Sequence, residues 1–334
     1  MSLRVERPGM LTSIQDLGRY GYQKYGVVVS GAMDSISLRI ANLLVGNKEN
    51  EAVLEMTLMG ASFYVEEDLL IAVTGGDLAP VVEEEPLPLW RPVFVRKGSL
   101  LRFQASRSGC RTYIAVAGGF DVKEVLGSKS TYLRGELGGL KRSLIAGDTL
   151  DCRIPGVSDQ RFRELNSSAE GVSFVAANWH VNPEPFVNLK ETVIRVIRGG
   201  EFDSFTESSR EGFFKEEFHI TPNSDRMGYR IEGTPLQMEE SAELLSEPVT
   251  NGTIQVPKDG NPIILLADRQ TTGGYPKIAQ VATADIPLLA QKKPGEKIRF
   301  KEISLEEAEQ LYLRQELQLE KLKAGLLLKG YETA

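Results

Sequence analysis

Lys97-Gly98-Ser99-Leu100-Leu101-Arg102-Phe103 and Pro294-Gly295-Glu296-Lys297-Ile298-Arg299-Phe300 share one design, a glycine turn leading into a short apolar run that carries an arginine and ends on phenylalanine. A turn of this chemistry followed by a short run of strand-forming residues reads as a β unit. The second copy begins 197 positions after the first, Lys97 to Pro294. Two more pairs repeat at nearly the same spacing. Val5-x-x-Pro8-Gly9 is echoed 191 positions on by Val196-x-x-Gly199-Gly200, and Ser30-Gly31-Ala32-Met33-Asp34 is echoed 194 positions on by Ser224-Asp225-Arg226-Met227-Gly228. A nearly constant offset predicts a duplicated β unit and hence two β-rich halves. Ala146-Gly147-Asp148-Thr149-Leu150 has the same shape at another offset, since turn chemistry recurs without common descent.

Outward from these repeats, most of the chain is short apolar or β-branched runs punctuated by 32 glycines and 16 prolines, the pattern of barrels or sandwiches. Strands are predicted at 62–65, 69–73, 100–103, 112–116, 193–197, 263–267 and 297–300. Helical spacing is sparse. Ile36, Leu38, Ile40, Ala41, Leu44 and Val45 form one stripe, with Asp34 placed to cap it and Gly46 to end it. Ser304-Leu305-Glu306-Glu307 reads as a capping box, and 307–323 follows without glycine or proline, so a C-terminal helix is predicted there, packed on its own domain.

The totals exclude several function classes. At 334 residues, with 41% hydrophobic and 25% charged residues, the chain is long enough for two cores. A net charge of −7 repels phosphate backbones and anionic lipid, which argues against nucleic acid as a partner. The first residues put charges and a Pro-Gly turn where a secretion signal needs an apolar run, and no run nears the about 20 apolar residues that cross a bilayer. A cytoplasmic protein away from membranes is expected. Cys110 and Cys152 lack C-x-x-C spacing and read as free thiols, while His180 and His219 have no ligand-spaced neighbour, so no metal site is expected. Gly127-Ser128-Lys129-Ser130-Thr131 resembles a phosphate loop only superficially, because glycine does not precede the lysine. Neither a G-x-G-x-x-G context nor a G-x-S-x-G elbow occurs.

Chemistry concentrates in two polar segments. Asp268-Arg269-Gln270-Thr271-Thr272-Gly273-Gly274-Tyr275-Pro276-Lys277 directly follows the apolar run 262–267, so a buried strand delivers an acid, two cations, an amide and two hydroxyls to one loop. Its paired glycines let backbone N–H groups face a ligand, and Arg269 can grip a carboxylate bidentately. Ser224-Asp225-Arg226-Met227-Gly228-Tyr229-Arg230 is the second, readable either as the far wall of a pocket or as an ion pair tying two loops. Gln255 interrupts the apolar run 252–257 and, if buried, needs partners that include a ligand. Asp268 and Lys277 are the candidate catalytic groups. Ser224, Asp225, Arg226, Gln255, Arg269, Gln270, Thr271, Thr272, Gly273, Gly274 and Tyr275 are the candidate substrate-binding residues.

Taken in order, Pro8-Gly9 with Gln15-Asp16-Leu17-Gly18-Arg19, Ser30 to Asp34, Ala41-Asn42-Leu43-Leu44-Val45-Gly46-Asn47, Leu126-Gly127-Ser128, Ser224 to Arg230, Ile254-Gln255-Val256-Pro257 and Asp268 to Pro276 span nearly the whole chain. Together they resemble the biotin-dependent carboxyltransferase-like family, also described as allophanate hydrolase subunit 2-like. That family includes the carboxyltransferase domain of urea carboxylase and one component of the prokaryotic ATP-dependent 5-oxoprolinase. A length near 330 residues resembles that bacterial component more than the multidomain enzyme.

The resemblance implies a mainly β fold of two cyclophilin-like β-barrel domains with a few helices and a C-terminal helix. On that reading 1–186 is the first domain with insertions, 187–303 the second, carrying the main polar loops, and 304–330 the C-terminal helix. It implies a hetero-oligomer with two further subunits, one kinase-inhibitor-like and one hydrolase-like, which together open 5-oxo-L-proline to L-glutamate as an ATP-dependent hydrolase. The loops would then form part of a composite lactam site. ATP belongs to the complex, and no nucleotide motif in this chain holds it. Two alternatives stay open: a regulatory protein that antagonises a sensor-kinase inhibitor by binding alone, and a carboxyltransferase that uses biotin on a urea-like amide.

Overall fold

In the computed structural model, which describes residues 1–153, 165, 171–240 and 244–330, the predicted strands form and the chain is mainly β. It separates into two compact units. The first comprises Met1–Gly18, Asp34–Leu189 and Gln318–Ala334, and the second comprises Arg19–Met33 and Lys190–Leu317.

Two six-stranded sheets build the first unit. One runs, in hydrogen-bonded order, Thr149–Asp151, Ser2–Arg7, Ser62–Val65, Leu100–Arg102, Val81–Val82 and Glu85–Pro86. The other runs Phe174–Ala176, Pro92–Val95, Leu69–Asp77, Ser108–Val116, Val53–Thr57 and Leu11–Gln15. Alternate residues of both, among them Leu3, Val5, Phe63 and Leu101 from one and Ile14, Leu54, Met56, Ile71, Val73 and Ile114 from the other, make a single apolar core. Each such side chain stabilises the fold by about 1.5–3 kcal/mol through burial. The strand Leu69–Asp77 is buried on both faces, which is why its first five residues, 69–73, are continuously apolar instead of alternating. Its second face is covered by the helix Ser35–Leu44, joined to it by Thr74 Oγ1 donating to the Ser37 carbonyl at 2.7 Å. Asp34 caps this helix, accepting from the Ser37 N–H at 2.9 Å, and Gly46 follows it at φ +77°. Both cysteines are buried thiols outside any disulfide, and burial pushes the Cys152 thiol up to about 12, away from reactivity.

A closed barrel forms the second unit, in the order Val193–Arg198, Lys277–Val281, Thr253–Gln255, Ile263–Leu265, Gly228–Glu232, Phe218–Ile220 and Lys297–Glu302. The last strand closes it by pairing parallel with the first, so the barrel has no open edge. Alternation is strict over 297–301, where Ile298 and Phe300 point in and Lys297, Arg299 and Lys301 point out. The helix Glu207–Lys215 packs on this strand, with Phe213 stacked on Phe300 at 4.5 Å between ring centroids. Its Thr206 cap was not anticipated, since Phe213 and Phe214 are the only large apolar residues in that stretch. Helix Leu305–Leu328 opens with the predicted capping box: the Ser304 N–H donates to Glu307 Oε2 at 2.8 Å, and the Glu307 N–H donates to Ser304 Oγ at 3.1 Å.

Candidate functional site

The strand Ile263–Leu265 pairs with Gly228–Glu232, bringing Gly228 opposite Leu265. A side chain at Gly228 would sit 2.9 Å from the Ile264 carbonyl oxygen, so glycine is what lets the strands approach here. The ladder continues past the strand ends, with the Leu266 N–H donating to the Met227 carbonyl at 3.0 Å and the Asp268 N–H to the Arg226 carbonyl at 2.9 Å. The two polar segments predicted from sequence therefore meet.

Arg226 and Asp268, each 4% exposed, join in a two-pronged ion pair. Arg226 Nε donates to Asp268 Oδ2 and Nη2 to Oδ1, both at 3.0 Å. Nη2 also donates to the Gly31 carbonyl at 2.6 Å, and the Ser30 hydroxyl donates to Asp268 Oδ1 at 2.7 Å. In this arrangement Asp268 orients a guanidinium that is itself turned inward. Ser224 and Asp225 shape the turn before it. Asp225 Oδ1 accepts from the Met227 and Gly228 N–H groups at 2.8 and 3.2 Å, and Ser224 Oγ accepts from the Arg230 N–H at 3.1 Å.

Arg269, the next residue, points elsewhere. Its Nε and Nη1 reach the carbonyls of Val249 and Leu266 at 3.4 and 3.3 Å, and no carboxylate among the described residues pairs with it. Burial pulls its pKa below the usual guanidinium value, opposed by the neighbouring Tyr20. A desolvated cation held only by long contacts to neutral carbonyls is poised for an anionic group.

Past Arg269 the loop forms a small ribbon. Thr272–Gly273 pairs antiparallel with Glu247–Pro248, and the Val249 N–H donates to the Thr271 carbonyl at 3.1 Å. Gln270, Thr272 and Tyr275 are exposed; Thr271, Gly273 and Gly274 are half-buried. Gln255, 4% exposed, lies directly under the ribbon: a side chain at Gly273 would fall 2.5 Å from its Nε2, which donates to the Tyr275 carbonyl at 3.3 Å. Lys277 ends the loop between two acids, 2.6 Å from Glu247 and 3.7 Å from Glu201. The hydrogen bond to Glu247, outweighing burial and aided by the charge of Glu201, lifts the ammonium above the ordinary lysine value. It is a fixed cation at neutral pH, not a base.

Sequence reasoning did not single out Ser30, Gly31, Tyr20, Glu201 or Glu247 as site residues. Ser30 and Gly31 stood out as an echo of Ser224 and Asp225 and within a segment of the family resemblance, not as site residues. The pseudo-phosphate loop has a separate role in the first unit. Ser128 Oγ, Ser130 Oγ and the Lys129 N–H all donate to the Asp16 carboxylate, so this loop's donors face an acid of the chain itself.

The family model described as carboxyltransferase domain, subdomain A and B, matches residues 25–302, and the chain belongs to that family. It is 37% identical to the 5-oxoprolinase C subunit of Haemophilus influenzae, over 93% of this chain and 94% of that one. It is 38% identical to the 5-oxoprolinase C subunit of Escherichia coli, over 92% and 93%. The crystal structure of K. lactis urea amidolyase superposes with a TM-score of 0.84 at 31% identity, over 96% of this chain and 20% of that longer protein. No helix among the described residues is long and apolar enough to cross a membrane.

Proposed function

We propose that this chain is the component of a cytoplasmic, ATP-dependent 5-oxoprolinase that supplies the carboxylate-binding wall of a composite lactam site. Opening 5-oxo-L-proline adds water across its ring C–N bond, the oxygen going to the carbonyl carbon and a proton to the nitrogen, with ATP hydrolysis driving the step. The substrate carries one carboxylate beside the lactam. Arg269 carries the reading, because a desolvated guanidinium without an acid partner suits that carboxylate, whereas Arg226 is already engaged by Asp268 and Gly31.

In this reading Arg269 grips the carboxylate, and the Gly273-Gly274 backbone with Gln255 beneath it shapes the floor. Gln270, Thr271, Thr272 and Tyr275 form the polar rim. Lys277, fixed by Glu247 and Glu201, pins the end of the loop, while Asp268 and the turn of Ser224 and Asp225 hold Arg226 and the loop in place. ATP and the remaining catalytic groups come from two other subunits, one kinase-inhibitor-like and one hydrolase-like. Near-complete coverage of the two bacterial 5-oxoprolinase components supports this assembly over the urea amidolyase, of which the chain matches a fifth.

The test is glutamate release from 5-oxo-L-proline by the co-purified complex, with and without ATP. Arg269→Ala should lower kcat/KM by about 100-fold, mainly through KM, while leaving the complex assembled. Unchanged kinetics would remove Arg269 from the site. The likeness to urea amidolyase favours one second reading, carboxyl transfer from biotin to a urea-like amide. Urea has no charge for Arg269 to meet, so turnover dependent on biotin and bicarbonate and indifferent to Arg269→Ala would select it.

A further inference from the structure

A groove of about 720 Å³ lies in the first unit, its walls including Arg7, Pro8, Met59, Glu84, Arg102 and Phe103. Its size matches sites for small organic ligands. Arg7, Ser62 and Arg102 are successive partners across three strands, so their side chains stand in one row on one face of the sheet. Ser62 is 2% exposed, and its hydroxyl accepts from Arg7 Nη2 at 3.3 Å. No carboxylate among the described residues pairs with Arg7. Arg102 donates to Glu84 at 2.6 Å, but that glutamate side chain is 88% exposed, and a pair so open to water is readily exchanged. The floor is apolar and close-packed. A side chain at Gly9 would meet the Met59 carbonyl oxygen at 2.6 Å, and one at Gly60 would meet Phe103 Cβ at 2.1 Å, so both glycines keep the backbone flat beneath the groove.

We propose that this groove binds a small organic monocarboxylate, its charged group between Arg7 and Arg102 and its apolar body along Pro8, Met59 and Phe103. Two arginines against one glutamate leave a single positive charge, which suits a monoanion better than a phosphate ester. Glu84 is the built-in competitor for Arg102. The site has no lining residue from the loop of Arg269 and stands or falls independently of the activity proposed above.

The experiment follows the Met59 methyl signal of the full chain, methionine-labelled with carbon-13, during titration with hexanoate. The expected result is a saturable Met59 shift that hexanamide, the uncharged analogue, does not produce. Arg7→Gln and Arg102→Gln should each weaken the apparent affinity about tenfold. Glu84→Gln should tighten it, a response that a purely structural Glu84 would not give, and Arg269→Ala should leave it unchanged. Unmoved signals from the other methionines confirm that each variant is folded. A shift that does not saturate, equal response to hexanamide, affinity indifferent to Arg7→Gln, or loss of binding in Arg269→Ala would overturn the proposal.

Discussion

Two buried aspartates, one in each unit, are held by opposite means. Asp16, 7% exposed, accepts only from neutral donors among the described residues: the Gly18 N–H at 2.8 Å, Ser128 Oγ at 2.7 Å, the Lys129 N–H at 2.5 Å and the Ser130 hydroxyl. Asp268 faces a guanidinium whose two prongs take both its oxygens, with one hydroxyl added. Dipoles can turn or find water when the charge they serve is removed. A buried cation cannot, so the same substitution should injure the two regions unequally.

Asp268→Asn should have the largest effect, about 3–5 kcal/mol of unfolding free energy in urea denaturation, because it removes the carboxylate charge that faces the buried Arg226 guanidinium. Replacing both partners, Arg226→Met with Asp268→Leu, should recover most of that loss, and its failure to do so would break the charge argument. Asp16→Asn should cost less, about 1–3 kcal/mol, since an amide oxygen still accepts some of the four donors while its NH2 group faces others. Equal losses at the two sites would end the distinction between them.

The smallest effect sharpens the Asp16 side. Lys129, whose N–H serves Asp16, extends its ammonium to Glu51 at 2.5 Å, where Arg153 also arrives at 2.5 Å. Burial alone would raise the Glu51 carboxyl, but hydrogen bonds from Lys129, the Ala52 N–H and Arg153 outweigh it and hold it below the usual value. A depressed carboxyl stabilises the fold above its unfolded value near 4.5 and loses that contribution as pH falls through the folded value. Glu51→Gln should therefore cost at most about 1 kcal/mol at neutral pH, with the gap to the parent protein closing below pH about 4.5.

Much of the scaffold was legible because its signals are local. Asp34 and the Ser304-Glu307 box lie within one turn of the groups they satisfy, and the strand at 297–300 shows its alternation directly. The site was legible as a set of loops but not as a set of contacts. Asp268 beside Arg269 looks like a neighbouring ion pair, yet Asp268 takes Arg226, 42 positions away, and Ser30, 238 positions away. Adjacent side chains on an extended backbone diverge, so that choice is made by tertiary register. The internal echoes carry no information about pairing. Val193–Arg198 pairs parallel with Lys297–Glu302, whereas Ser2–Arg7 pairs antiparallel with Thr149–Asp151 and Ser62–Val65. Turn chemistry is repeated there without repeating the ladder.

The assignment of Arg19–Met33 to the barrel unit, and of Gln318–Ala334 to the two-sheet unit, has a consequence for how the chain is born. Ser30 leaves the ribosome 238 residues ahead of Asp268, its hydrogen-bond partner. At ordinary elongation rates of about 5–20 residues per second, that is a wait of about 10–50 s. Meanwhile the two-sheet unit lacks Gln318–Ala334 until every strand of the barrel unit has been made. Neither unit can therefore mature vectorially, and ribosomes stalled short of Gln318 should hold chains that proteases and chaperones still recognise as unfinished.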